Sequence, residues 1–197
     1  MAVLLLGLGP ACGGDDAGSP HPIPIPDSTR IRLSALLEPT SEVNVIGLAG
    51  AVAGPGVVII EQPSGASQVQ ATTTGSFFAT VKTQLGANLA IRFESSDPIV
   101  KQVQLVSGPV QVAPGPISGV PPITVVAPGR VRIQGQTTLP DSPVVAANTA
   151  NGDVVAAQSG SNNRLTLEIS ASTGDRLFVY NDDTQFPLSE PWELIAP

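Results

Sequence analysis

From Thr29 onward, apolar and polar residues alternate with a period of two rather than 3.6, which is the pattern of strands with one buried face. β-Branched residues are abundant, and clusters of Gly, Pro and Asn punctuate the chain at the spacing of short strands in a sandwich or barrel. The pattern predicts strands near 29–36, 42–49, 56–61, 67–73, 76–83, 88–95 and 100–106. A segment rich in Gly and Pro, Ser107 to Pro122, then reads as a linker with one short strand inside it. A second set is predicted near 123–127, 130–137, 143–148, 153–158, 164–170, 176–181 and 190–196. Alternation places Val43, Val45, Phe77, Val81, Leu89 and Ile91 inward in the first set. In the second it places Val131, Ile133, Leu165, Leu167, Ile169, Leu177 and Val179 inward, with Arg164 and Glu168 outward.

The two sets are one unit repeated. A gapless shift of 88 positions lays Val43 on Val131, Val45 on Ile133, Gly47 on Gly135, Pro55 on Pro143 and Val57 on Val145. It also lays Phe77 on Leu165, Val81 on Ile169, Gly86 on Gly174 and Ile91 on Val179. The turn at Pro63-Ser64-Gly65 meets Asn151-Gly152-Asp153, and Asn-Gly is itself a strong hairpin signal. Because the shift is even, inward and outward faces keep their phase.

Three stretches carry a resemblance to a known family: Val43-Asn44-Val45-Ile46-Gly47, Thr74-Gly75-Ser76-Phe77-Phe78-Ala79-Thr80-Val81 and Leu85-Gly86-Ala87-Asn88-Leu89-Ala90-Ile91. With them each unit resembles the bacterial immunoglobulin-like domains found in tandem on exported proteins. Unit two keeps the last stretch as Thr173-Gly174-Asp175-Arg176-Leu177-Phe178-Val179 and replaces Gly-Ser-Phe with Asn163-Arg164-Leu165. The expected fold is all-β: two tandem immunoglobulin-like β-sandwich domains after an N-terminal lipoprotein signal and a Pro-rich tether.

That tether begins at Cys12, the only cysteine. It ends a short apolar run from Val3 and is followed by Gly13-Gly14-Asp15-Asp16. The layout resembles the signal and lipobox of bacterial lipoproteins, which implies that Cys12 is acylated and that the chain is held on a membrane. Gly9 stands where a branched apolar residue is usual, and no Lys or Arg precedes the run; a translation start further upstream accounts for the missing basic segment. Pro20-His21-Pro22-Ile23-Pro24-Ile25-Pro26 has proline at every second position. Proline removes a donor and biases its neighbour to extended geometry, so this segment reads as a polyproline-like stalk. The expected organisation is a signal segment at 1–11, lipidated cysteine and tether at 12–27, sandwich one at 28–107, linker at 108–121 and sandwich two at 122–197. Few contacts are expected to cross such a linker, leaving two units that fold separately.

Charged residues are 13% of the chain and the net charge is −7. That argues against nucleic acid, whose phosphates need clustered Lys and Arg. Enzymatic chemistry finds no residues to work with. The one histidine, His21, lies in the stalk, so no Ser-His-Asp or Cys-His arrangement can be built in either unit. Glu61, Glu94, Asp97, Asp141, Glu168 and Asp175 are scattered at strand ends and turns, without the pairing that glycosidases need. No zinc ligand set exists. The best oxygen cluster for calcium, Asn181-Asp182-Asp183 with Asp153 or Asp175, lacks EF-hand spacing and reads as a turn. Gly50 to Gly56 lacks the lysine and helix of a phosphate loop. No metal or cofactor is expected.

Aromatic residues make up 4% of the chain. Tyr180, Asp182, Asp183, Phe186 and Trp192 group near one end of unit two, and unit one has no counterpart. They are the candidate binding residues, with Trp192 read as core in preference to a binding platform. The function expected is a membrane-tethered, extracytoplasmic structural or macromolecule-binding lipoprotein without catalysis. The alternatives are a carbohydrate-binding module on the envelope and an accessory spacer of an envelope or secretion assembly. The implied place is the bacterial cell envelope, on the outer in preference to the inner membrane, with a protein or glycan partner.

Overall fold

The computed structural model describes residues 25–35, 40–94, 102–106, 121–182 and 187–197. Cys12, most of the stalk, Asp183 and Phe186 lie outside these residues. Among them are fourteen strands: β1 (Ile31–Leu33), β2 (Thr40–Gly47), β3 (Gly56–Gln62), β4 (Gly65–Ala71), β5 (Phe77–Gln84), β6 (Asn88–Glu94), β7 (Gln102–Val106), β8 (Ile123–Ala127), β9 (Arg130–Gln136), β10 (Pro143–Asn148), β11 (Val154–Gln158), β12 (Arg164–Ser170), β13 (Arg176–Asn181) and β14 (Trp192–Ile195). Each strand predicted in the two sets has an observed counterpart, and the short strand expected within 107–122 falls outside the described residues. The first differs at its start, where residues Ser28–Arg30 form a 3-10 turn. The Asp27 side chain accepts the Thr29 amide there, and the strand begins only at Ile31.

Pairing is antiparallel within two copies of one arrangement. In the first, a three-stranded sheet β1-β2-β5 faces a four-stranded sheet β4-β3-β6-β7. In the second, β12-β9-β8 faces β11-β10-β13-β14. This strand order defines two immunoglobulin-like sandwiches. It differs from the constant-type order in that the fourth strand pairs with the third and not with the fifth. Side chains from both sheets interdigitate in each core. Val43, Val45, Phe77 and Val81 meet Val58, Ile60, Leu89, Ile91 and Phe93 in the first. Val131, Ile133, Leu165, Leu167 and Ile169 meet Val144, Ala146, Leu177 and Val179 in the second. Every residue that alternation placed inward is buried.

The repeat holds in register through most of its length. Val43 pairs with Val81 and Val131 with Ile169; Gly47 pairs with Phe77 and Gly135 with Leu165. One strand departs from the gapless alignment. Ile59 pairs with Arg92, but the residue opposite Tyr180 is Val145, not Ala147. The third strand of unit two is thus displaced by two residues, because the link before it is 137–142 where unit one has 48–55. The longer turn between β10 and β11 restores the offset. A two-residue slip is even, so both faces keep their phase.

Two glycine positions explain the sequence signature. Gly47 lies under the Phe77 ring, where a Cβ would collide with ring carbons. Gly75 has φ +77° and would place a Cβ against the Val52 carbonyl oxygen, so only glycine fits. The equivalent residue in unit two is Asn163, at φ 63°. Asparagine is among the few residues with a side chain that tolerate this region, which is how unit two dispenses with Gly-Ser-Phe.

Candidate functional site

The two sandwiches are not independent. A third apolar cluster joins Ile46 and Phe78 of unit one to Val145, Ala147, Val154, Tyr180 and Leu188 of unit two, with Leu48 and Phe178 packed against it. Ile46 and Phe78 are paired neighbours on the outer face of the β1-β2-β5 sheet. Val145 pairs with Tyr180 and Ala147 with Phe178 on the outer face of the β10-β13 sheet. Two sheet faces that ordinarily meet water therefore meet each other. The contact is aromatic at its centre: the Phe78 and Phe178 rings lie 5.8 Å apart and those of Phe178 and Tyr180 6.2 Å apart, within the range of favourable ring pairs.

Polar groups fix the alignment of these faces. The Asn44 side-chain amide donates to the Tyr180 hydroxyl at 2.8 Å and its oxygen accepts from Thr80 at 2.7 Å. Arg32 Nε donates to both carboxylate oxygens of Asp182, at 3.0 and 3.1 Å, and Nη1 donates to the Thr29 carbonyl at 2.6 Å. The Asp182 side chain is 6% exposed, so it is a desolvated charge with a specific partner. Backbone joins as well. Leu188 forms a parallel bridge with Ser34; its amide donates to Leu33 and its carbonyl accepts from Ala35. The segment after β13 thus extends the edge of the first sandwich's sheet. Ser76 Oγ donates to the Gly152 carbonyl at a further crossing. Burial drives the Tyr180 hydroxyl far above its ordinary range, and the Asn44 hydrogen bond offsets only part of that shift. It stays a neutral phenol at any physiological pH.

These contacts change the meaning of the candidate binding residues. Tyr180 is fully buried and Asp182 nearly so, and both serve to join the units. Trp192 is half-buried, pairs with Val179 and packs against the second core. Tyr180 and Trp192 therefore lie on opposite faces of one sheet and form no shared platform. Asp183 and Phe186 lie outside the described residues, as does Cys12. The oxygen cluster weighed for calcium does not converge either. Asp182 faces Arg32, Asp153 accepts the Ser170 amide, and Asp175 accepts the Asn148 amide and the Ser172 N–H. These last two bonds hold the Asp175 carboxyl below its ordinary range. Among the described residues no group of three His, Cys, Asp or Glu could hold a metal, and no helix is long and apolar enough to cross a membrane. The expectation that few contacts cross the linker gives way to a shared core. Sequence did carry a signal for it: Val144-Val145-Ala146-Ala147 and Leu177-Phe178-Val179-Tyr180 are apolar at every position, the mark of strands covered on both faces.

The remaining outer faces carry clusters of ion pairs. On the first sandwich, Arg92 of β6 lies 3.0 Å from Glu61 and 3.8 Å from Glu94. On the second, Arg132 donates twice to one Glu168 oxygen, at 3.0 and 2.7 Å, and Arg130 reaches the other at 3.1 Å. The Arg132 hydrogen bond, with both positive charges, holds the Glu168 carboxyl below its ordinary range. Beside these groups lies an open recess of about 450 Å³ lined by Pro121, Pro122, Gln134, Gln136, Arg164 and Thr166. A smaller recess of about 130 Å³ sits at the seam, lined by Ser34, Glu42, Asn44, Ser189 and Glu190.

No protein-family model matches the chain, and a search of curated proteins finds no match. Solved structures similar to it include a two-fibronectin type-III domain segment from chicken tenascin. That match is 17% identical, with a TM-score of 0.27, covering 84% of this chain and 95% of that one. They also include the human OSCAR ligand-binding domain, 13% identical, with a TM-score of 0.31, covering 84% of this chain and 97% of that one. The fold assignment rests on the strand pairing described above.

Proposed function

We propose that the chain is a non-catalytic protein of the bacterial envelope, tethered through acylated Cys12, in which two sandwiches are fixed as one body at the end of a stalk. Its role is structural or macromolecule-binding: to hold a rigid surface at a set distance from the membrane, the outer membrane in preference to the inner. One observation carries this reading. Phe178 and Tyr180 of the second unit are packed on Ile46 and Phe78 of the first, so the two units share a core. A jointed linker would allow the second unit to swing; a shared core with a buried ion pair does not.

The tether is tested by metabolic labelling with a fatty-acid analogue, in cells expressing the protein from its native start. The label is expected on the protein and absent from a Cys12→Ser variant, which should also leave the membrane fraction. A label that persists in that variant overturns the tether. The rigid body is tested by denaturant unfolding followed with tryptophan emission and far-ultraviolet circular dichroism. Trp192 reports on the second sandwich alone, so coincident transitions are expected. Two separated transitions overturn the fixed arrangement.

A further inference from the structure

We propose that the outer face of the second sandwich's three-stranded sheet binds a linear carboxylated polysaccharide. The proposal rests on the reading of the chain as a binding module and names the ligand class and its site. Outward positions of β9 and β12 form a ladder of four paired rungs: Arg130 with Ser170, Arg132 with Glu168, Gln134 with Thr166, and Gln136 with Arg164. Three of the nine basic residues of a chain with net charge −7 stand on this one face. Glu168 is shared between Arg130 and Arg132, and neutralises one of them. Asp153 lies beyond the first rung and accepts the Ser170 amide. A surplus of positive charge remains on the ladder, with one arginine near each end.

The spacing suits an extended ligand. Arg130 and the rung of Arg164 are six residues apart along β9, about 20 Å at strand rise. Between them, Gln134 and Thr166 present amide and hydroxyl groups, and the recess lined by Gln134, Gln136, Arg164 and Thr166 opens here. Guanidinium groups take carboxylates in a two-pronged fit, while side-chain amides and hydroxyls both donate to and accept from sugar hydroxyls. An acidic protein is a poorer fit. Protein interfaces are anchored by buried aromatic or aliphatic side chains; the outward positions of β9 and β12 carry none, and the exposed Val125 and Val126 are confined to the edge strand β8. The repeat supplies a further argument. The equivalent face on the first sandwich carries Ile46 and Phe78 and is covered by protein. On the second, the same positions are Gln134 and Thr166, both exposed.

The test is affinity electrophoresis of the full-length protein in detergent through gels containing polygalacturonate, dextran or polyglutamate. Retardation is expected with polygalacturonate only. Arg130→Gln and Arg164→Gln remove the exposed cations at the two ends and leave the Arg132–Glu168 pair in place. Each is expected to weaken retention about tenfold, the scale of one charge-assisted hydrogen bond, with the thermal midpoint unchanged. Equal retardation by polyglutamate overturns the carbohydrate assignment. Undiminished retention in both variants overturns the site, and no retention by polygalacturonate overturns the proposal. None of these results bears on the labelling of Cys12, which tests the tether separately.

Discussion

The two sandwiches have one strand order and one core pattern, and they differ in what their outer faces carry. Ile46 and Phe78 on β2 and β5 correspond to Gln134 and Thr166 on β9 and β12. Tyr180, Val145, Ala147 and Phe178 on β13 and β10 correspond to Arg92, Ile59, Glu61 and Ala90 on β6 and β3. One face of each unit carries an apolar patch and the two patches meet. The other face of each unit carries a cluster of ion pairs, Arg92 with Glu61 and Glu94 or Glu168 with Arg130 and Arg132. The faces that meet and the faces that stay free are of the same two kinds, so charge sets where the stacking stops. Terminal repeats of stacked arrays keep a polar outer face for the same reason: an apolar one would continue the stack between molecules.

The largest expected effect breaks the junction while sparing both cores. Replacing Ile46 and Phe78 together by alanine removes two large side chains from the third cluster, and should cost about 5 kcal/mol in all. Denaturant unfolding of this variant should separate into two transitions where the parent shows one. Arg32→Ala comes next. It leaves Asp182 buried without its partner, and should cost about 3 kcal/mol, the lower end for a broken buried pair; the Arg32→Ala, Asp182→Ala double variant should recover part of that loss in a double-mutant cycle. Tyr180→Phe removes only the hydroxyl and strands the Asn44 amide, for about 1–2 kcal/mol.

Two smaller effects sharpen the contrast. The Asp175 carboxyl titrates below its ordinary value of 3.8 because of its bonds to Asn148 and Ser172. A depressed folded-state value means that its contribution is fully present above the unfolded-state value and is lost as the pH falls through the folded one. Urea midpoints measured from neutral pH downward should therefore fall in acid, and less steeply in Asp175→Asn. At the small end, Gln134→Ala, the counterpart of Ile46 on the free face, should change stability by no more than about 0.5 kcal/mol. A loss at Gln134 equal to that at Ile46 would mean that the two faces do not differ as described.

Strand positions, inward residues and the repeat are settled by local pattern. A period of two fixes which side chains share a face, and an even offset preserves that assignment even where the third strand slips by two residues. The strictly alternating strand Arg164-Leu165-Thr166-Leu167-Glu168-Ile169-Ser170 declares its solvent face outright. The candidate site was a different matter. Tyr180 and Asp182 are near one another in sequence and were readable as a surface group, but their partners Asn44 and Arg32 are 136 and 150 residues away. Sequence alone determined two immunoglobulin-like sandwiches, and it carries in β10 and β13 apolar runs that alternation by itself does not interpret. Only the tertiary structure decided that the first sandwich covers them and that the arginine ladder is left open. The reason is physical: burial of apolar area is non-directional, so a chain can carry apolar runs without naming what covers them.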